Sequence, residues 1–115
     1  MTRRTDRVNY VLRQEISQLL SRELNDPRLS GLVSIIHVDT SADLHYAEVF
    51  ISVMGSQEDK ASTLRALTSA AGFLHRELKE RLSFKFIPEL RFHLDESMEE
   101  ADRLTRLMHS LNQDG

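Results

Sequence analysis

Apolar side chains first recur at spacings of three and four. Val8, Val11, Leu12, Ile16, Leu19, Leu20 and Leu24 form a stripe, and Arg3, Arg7, Arg13 and Arg22 lie largely off it. That period predicts a helix with one buried face. Asn25-Asp26-Pro27 ends it, because proline disfavours a helical conformation in the residue before it. Gly31 leads into a strand over 32–39, rich in β-branched residues. Val33 and Ile35 share one face there, and Ile36 and Val38 the other, so a single bulge is needed to bring both pairs to the core. After a polar turn over 39–43, Ala47, Val49, Ile51 and Val53 alternate with Tyr46, Glu48, Phe50 and Ser52. This is the pattern of a strand with one face under helices. The other face, with its two aromatics, is expected to be partly open.

Gly55-Ser56 breaks that strand, and Ser56 with Asp59 forms an imperfect capping box. The helix that follows turns Ala61, Leu64 and Leu67 inward. Ala70-Ala71-Gly72 interrupts it, and the apolar pattern resumes at Phe73, Leu74, Leu78 and Leu82. Glycine inside a helix costs about 1 kcal/mol relative to alanine, so the spacing predicts two short helices meeting at a kink. A third strand is expected over 84–95, with Pro88 confined to its start or to an edge. Ser97 with Glu100 forms a second capping box. It opens a last helix whose stripe is Met98, Ala101, Leu104, Met108 and Leu111. The order helix, strand, strand, helix, kink, helix, strand, helix predicts an α+β domain with helices on one face of a small sheet. The last helix is expected to complete the core.

Composition narrows the function. The 115 residues suit one domain. No apolar run approaches the length of a membrane helix, and no apolar signal region follows Met1-Thr2-Arg3-Arg4, so a cytoplasmic protein is expected. The chain has no cysteine, which excludes disulfides and thiolate chemistry. Net charge is −3, but unevenly spread: residues 95–115 hold six acids and two bases, and the rest of the chain is slightly basic. Arg3, Arg4, Arg7 and Arg13 form one basic cluster. Arg76, Lys79, Arg81, Lys85 and Arg91 outnumber the acids in a second. Such clusters are compatible with RNA binding.

Catalytic signatures are not found. The four glycines are scattered, so no loop cradles a phosphate. No serine is bracketed as in a nucleophile elbow. Of the five histidines (His37, His45, His75, His93 and His109), His37 and His45 fall on neighbouring strands, a weak metal signal without further ligands. No metal and no cofactor is expected. The pairs Glu58-Asp59 and Glu99-Glu100 sit in predicted first turns, where they complement the helix dipole. The kink is the most distinctive feature. KH domains clamp an RNA backbone with a glycine-rich loop between two helices. Ala70-Ala71-Gly72 stands where that loop would stand, followed by His75, Arg76 and Lys79. The plainer reading is a packing kink with solvated charges behind it.

Six segments resemble one family in order and at fitting separations. They are Arg7-Val8, Asp26-Pro27-Arg28-Leu29, Asp43-Leu44-His45-Tyr46-Ala47-Glu48-Val49, Ala70-Ala71-Gly72-Phe73, Pro88-Glu89-Leu90-Arg91-Phe92 and Asp95-Glu96-Ser97. The chain is similar, from about residue 4 to 111, to the ribosome-binding factor A family. The resemblance implies a KH-like domain of type II topology (core about 4–95) with an additional C-terminal helix (about 97–112), in which an Ala-x-Gly kink replaces the glycine-rich loop. It implies a monomeric, non-enzymatic cytoplasmic factor. Such a factor binds free 30S subunits through 16S rRNA, supports late maturation and rRNA end processing, and is linked to growth in the cold. Two positions depart from the family. His75 stands where an arginine usually follows the kink phenylalanine, with Arg76 next. Ala101 stands where glycine is frequent. The RNA-contacting residues expected are Arg3, Arg4, Arg7, Ala70, Gly72, His75, Arg76, Lys79, Arg81 and Lys85. The alternative is a protein-interaction module that docks through the amphipathic last helix.

Overall fold

The structure, a computed structural model, describes residues 3–22 and 32–113, the side chains at 3, 4, 22, 32 and 113 excepted. Leu24, the expected helix end at Asn25-Asp26-Pro27, Gly31 and the Asp26-Pro27-Arg28-Leu29 segment lie outside the described residues. The chain is α+β: α1 (Arg3–Arg22), β1 (Leu32–Thr40), β2 (Tyr46–Met54), α2 (Gln57–Arg81), β3 (Glu89–Leu94) and α3 (Ser97–Gln113). The three strands lie in the order β1-β2-β3. β1 and β2 pair antiparallel, and β2 and β3 parallel.

β2 is the central strand and behaves as its alternation requires. Ala47, Val49 and Ile51 are fully buried and Val53 nearly so. The bulge expected in β1 is present. Ile35 pairs with Ile51 and His37 with Phe50, so Ile36 is the extra residue. Ile35 and Val38 are thereby both buried, with Val33 packed against the core. Ile36 itself does not join them, because a bulged residue opposes no single partner. Both α1 and α2 cover the same face. Leu12, Ile16 and Leu19 of α1 meet Leu67, Leu74 and Leu78 of α2 in one cluster with the sheet residues. The Asn9 side chain accepts a hydrogen bond from the Thr40 amide at 2.9 Å, tying α1 to the end of β1.

Three local expectations need correction or refinement. The capping box at α2 forms although its acid is an aspartate: Asp59 N donates to Ser56 Oγ at 3.1 Å and Ser56 N to Asp59 Oδ2 at 3.0 Å. Gly55 sits at φ +146°, and a Cβ there would lie 2.7 Å from Asp59 Oδ2, so this position needs glycine. The two short helices are instead one, since α2 runs unbroken through Ala70-Ala71-Gly72. Buried Thr63, Leu67, Leu74 and Leu78 are spaced by four, seven and four residues, which keeps one stripe in phase across Gly72. Burial of that stripe outweighs the propensity cost of one glycine. The third strand is only Glu89–Leu94; residues 84–88 are irregular, with buried Pro88 placed just before the ladder.

The last helix departs most. Ser97 is not a cap but lies in the first turn, where its amide donates to Asp95 Oδ1 at 2.9 Å. The Ser97 hydroxyl donates to the same oxygen, and the two bonds hold the Asp95 carboxyl below its usual 3.8. α3 does not complete the core. Met98, Leu104, Leu107, Met108 and Leu111 are 56–75% exposed. Only two residues link β3 to α3, and α1 and α2 already occupy the apolar face of the sheet. Nearly buried Lys60 of α2 holds the base of α3 through Glu96 (3.8 Å) and Glu99. The molecule is accordingly long, 60 × 37 × 18 Å, with a radius of gyration of 16.7 Å, against about 13 Å for a compact chain of this length.

No helix among the described residues is long and apolar enough to cross a membrane. A Cβ on Gly72 would meet only an Arg76 guanidinium nitrogen, at 3.7 Å, an ordinary contact. Gly72→Ala is therefore expected to raise stability against urea by up to about 1 kcal/mol, measured as a higher midpoint with unchanged m-value.

Candidate nucleic-acid interface

The phase of α2 decides which of its polar residues stand together. Leu74 and Leu78 point into the core, so Gly72, Arg76 and Lys79 emerge on the opposite side, exposed. His75 is half-buried and turns toward the chain that follows α2. Its Nε2 lies 2.9 Å from Ile87 O. A carbonyl can only accept, so Nε2 carries the proton and donates. His75 thus pins the 82–88 connection to the last turns of α2. The connection then lays Phe84, Lys85 and Phe86 alongside Lys79 and, on α1, Arg7.

Three grooves run together here. One of about 430 Å³ is lined by Ala71, Gly72, His75, Arg76, Glu89 and Leu90. The next, about 290 Å³, shares His75 and adds Lys79 and the 84–87 segment. The third, about 550 Å³, shares Phe84, Lys85 and Phe86 and reaches Arg7, Val8, Leu44 and Pro88. Arg7, Arg76, Lys79 and Lys85 line this band. Among the described residues none of the four carries an ion pair, and Lys85 rests over the Phe86 ring, 5.9 Å from its centre. Four cations without an ion pair, beside Glu89 as the one carboxylate among the described lining residues, create a local positive field in a chain of negative net charge.

The expected residues divide. Arg7, Gly72, Arg76, Lys79 and Lys85 come together in the band, with His75 beneath them as an anchor. Ala70 is half-buried and packs against the core. Arg81 turns aside, its Nε 3.8 Å from Glu77 Oε2 one turn back. The Arg3 and Arg4 side chains lie outside the described residues, although both positions are in α1. Phe84, Phe86 and Leu44, not among the expected residues, also line the band. The basic residue between two phenylalanines was the available signal, and it was absorbed into a strand that does not extend that far.

Arg91 is separated from its basic neighbours by the sheet. Its guanidinium stacks 3.8 Å over the Tyr46 ring and approaches Glu48 at 3.6 Å. Glu48 also meets His93, while Phe50 stacks on His93 at 5.2 Å and pairs edge-on with His37 at 4.8 Å. The open face is therefore a ladder of cross-strand pairs. His37 and His45 do not meet. His45 sits in the hairpin loop beside Asp43, whose carboxyl accepts from Ser41 Oγ (2.6 Å) and the His45 amide (3.0 Å) and is held below its usual value. No group of three metal-binding side chains occurs among the described residues.

Comparison with known proteins follows the same outline. The family model described as Ribosome-binding factor A matches residues 4–108. A ribosome-binding factor A of Acetivibrio thermocellus is 45% identical over 106 residues, 92% of this chain and 86% of that protein. The crystal structure of ribosome-binding factor A from Thermus thermophilus superposes with a TM-score of 0.69 at 26% identity, over 78% of this chain and 93% of that one. A homology model of the Thermus thermophilus ribosome-binding factor A, as fitted into an electron cryo-microscopy map of a complex of that factor with the 30S subunit, superposes with a TM-score of 0.60 at 26% identity, over 84% and 97% of the two chains.

Removing the anchor should loosen one segment only. His75→Ala is expected to speed amide hydrogen exchange over 82–88 and to cost roughly 1 kcal/mol of stability, while exchange in β2 stays slow.

Proposed function

The chain belongs to the ribosome-binding factor A family, and from that membership we propose that it binds free 30S subunits through 16S rRNA and assists late subunit maturation. It acts as a cytoplasmic monomer, without catalysis, and supports 16S rRNA end processing and growth in the cold by stabilising an rRNA conformation. Its core, about residues 4–95, is a KH-like domain of type II topology in which Ala70-Ala71-Gly72 lies inside a continuous helix. The observation that carries this reading is the fit of a homology model of a relative, similar in fold, into a map of its complex with the 30S subunit.

The band of free cations supports a phosphate-contact mechanism. Arg7, Arg76, Lys79 and Lys85 neutralise phosphates and set register, which carries little base information. Arg76, reaching over the bare turn at Gly72, takes the role that His75 gives up to Ile87. Folded rRNA is then recognised by shape, and the factor leaves when the mature subunit no longer presents that shape. Co-sedimentation with free small subunits and with whole ribosomes, over a range of salt, tests this. Binding to free subunits only is expected, with log affinity falling with log salt at a slope of roughly −3 to −4 for four contacts. Arg76→Gln should weaken binding and reduce the slope by about 1, whereas Arg81→Gln, already paired with Glu77, should change it less. Salt-insensitive binding would refute the phosphate account.

A second reading gains from the exposed stripe on α3. Leu104, Leu107, Met108 and Leu111 face solvent, so the helix is available to dock on a partner protein. Leu104→Ser with Met108→Ser should leave folding intact at these exposed positions. If subunit binding falls with the salt slope unchanged, α3 contributes an apolar contact; unchanged binding removes this reading.

A further inference from the structure

We propose that the groove between α1 and the 82–88 connection receives a single unpaired RNA nucleotide, its base stacked on Phe86 and its flanking phosphates held by Arg7 and Lys85. The inference rests on the subunit-binding reading above and deepens it, because phosphate contacts along the band say nothing about bases. At about 550 Å³ the groove falls within the roughly 300–1,000 Å³ of small-molecule sites. Its floor is apolar: Val8 and Leu44 are at most 9% exposed and Pro88 is fully buried. On its rim Phe86 leaves 62% of its surface in water. An exposed aromatic beside two cations with no ion pair is the combination that holds single-stranded nucleic acid, stacking one component and neutralising the other.

The backbone supports the same place. Leu44 adopts φ +64°, unfavourable for leucine. The Leu44 amide donates to Ser41 O at 2.9 Å, and the Glu89 amide to His45 O at 2.8 Å. These bonds hold a strained residue whose buried side chain forms part of the groove floor. Strain of this kind gathers at binding sites. The neighbouring carboxylate, Asp43, is turned to Ser41 and His45, and among the described residues no acidic side chain lines the groove. That favours an anionic ligand over a basic peptide. A duplex cannot offer a base face to such a recess, so the nucleotide must be unstacked.

The chain contains no tryptophan, so Phe86→Trp places a single indole reporter at an exposed site. Titration at low salt with a single-stranded RNA decamer should quench its emission saturably, in parallel with the anisotropy of a labelled strand. A duplex of equal length should bind without quenching. Phe86→Ala should weaken single-strand binding about tenfold. Co-sedimentation of the unmutated chain and Phe86→Trp with free small subunits runs alongside. Single-strand binding without quenching, or no single-strand binding by a chain that still co-sediments, overturns the groove proposal and leaves the subunit-binding reading standing. Phe86→Ala that loses subunits but binds the single strand normally also overturns it, assigning the groove to a subunit protein. Failure of the unmutated chain to co-sediment removes both.

Discussion

Ala47, Val49, Ile51 and Val53 lie under α1 and α2 at once. Everything else in the molecule depends on that one-sided burial. A three-stranded sheet has one apolar face here, and two helices are enough to cover it. The bulge at Ile36 lets β1 contribute Ile35 and Val38 to the same face despite a sequence that alternates out of step. Once the face is full, no apolar surface remains for α3. Its stripe stays in water although its period is that of a buried helix.

The same packing positions the cations. Leu74 and Leu78 fix the rotation of α2, and this rotation turns Arg76 and Lys79 outward together. His75 falls between the two sets. Its ring is close enough to the 82–88 connection to bind a backbone carbonyl, so the connection lies along the helix and brings Lys85 to face Arg7. The hydrogen bond to Ile87, with Leu82, Phe84 and Ile87 packed on the core, holds the loop where its lysine joins cations from two helices in one band. The chain's net charge of −3 gives no hint of it, because a sum over the chain does not say which charges stand together, and among the described residues the band's cations have no ion pair.

The open sheet face shows the reverse arrangement. Its charged groups are largely satisfied by one another: Glu48 holds Arg91 and His93, and the rings of Tyr46 and Phe50 are stacked on Arg91 and His93. A charge already engaged by a neighbour must break that contact before it can engage a ligand. Among the described residues the band's cations have no ion pair to break; Lys85 alone has a neighbour, the Phe86 ring.

The sequence by itself determined the α+β class, the element order apart from the single α2, the core face of β2 and the bulge of β1. These are properties of local period, and a period needs no knowledge of neighbours. It also determined the family, since ordered short segments survive without structure. The tertiary structure decided what depends on distant partners. The phase of α2 across Gly72 followed from burial of Leu67, Leu74 and Leu78 against the sheet, which outweighed local propensity. His75 became an anchor because Ile87 folds back to meet it. Arg81 and Arg91 left the basic cluster because Glu77, Tyr46 and Glu48 claim them, and α3 stayed exposed because no face was left to cover. In each case the competing contact comes from a residue whose proximity is created by the fold.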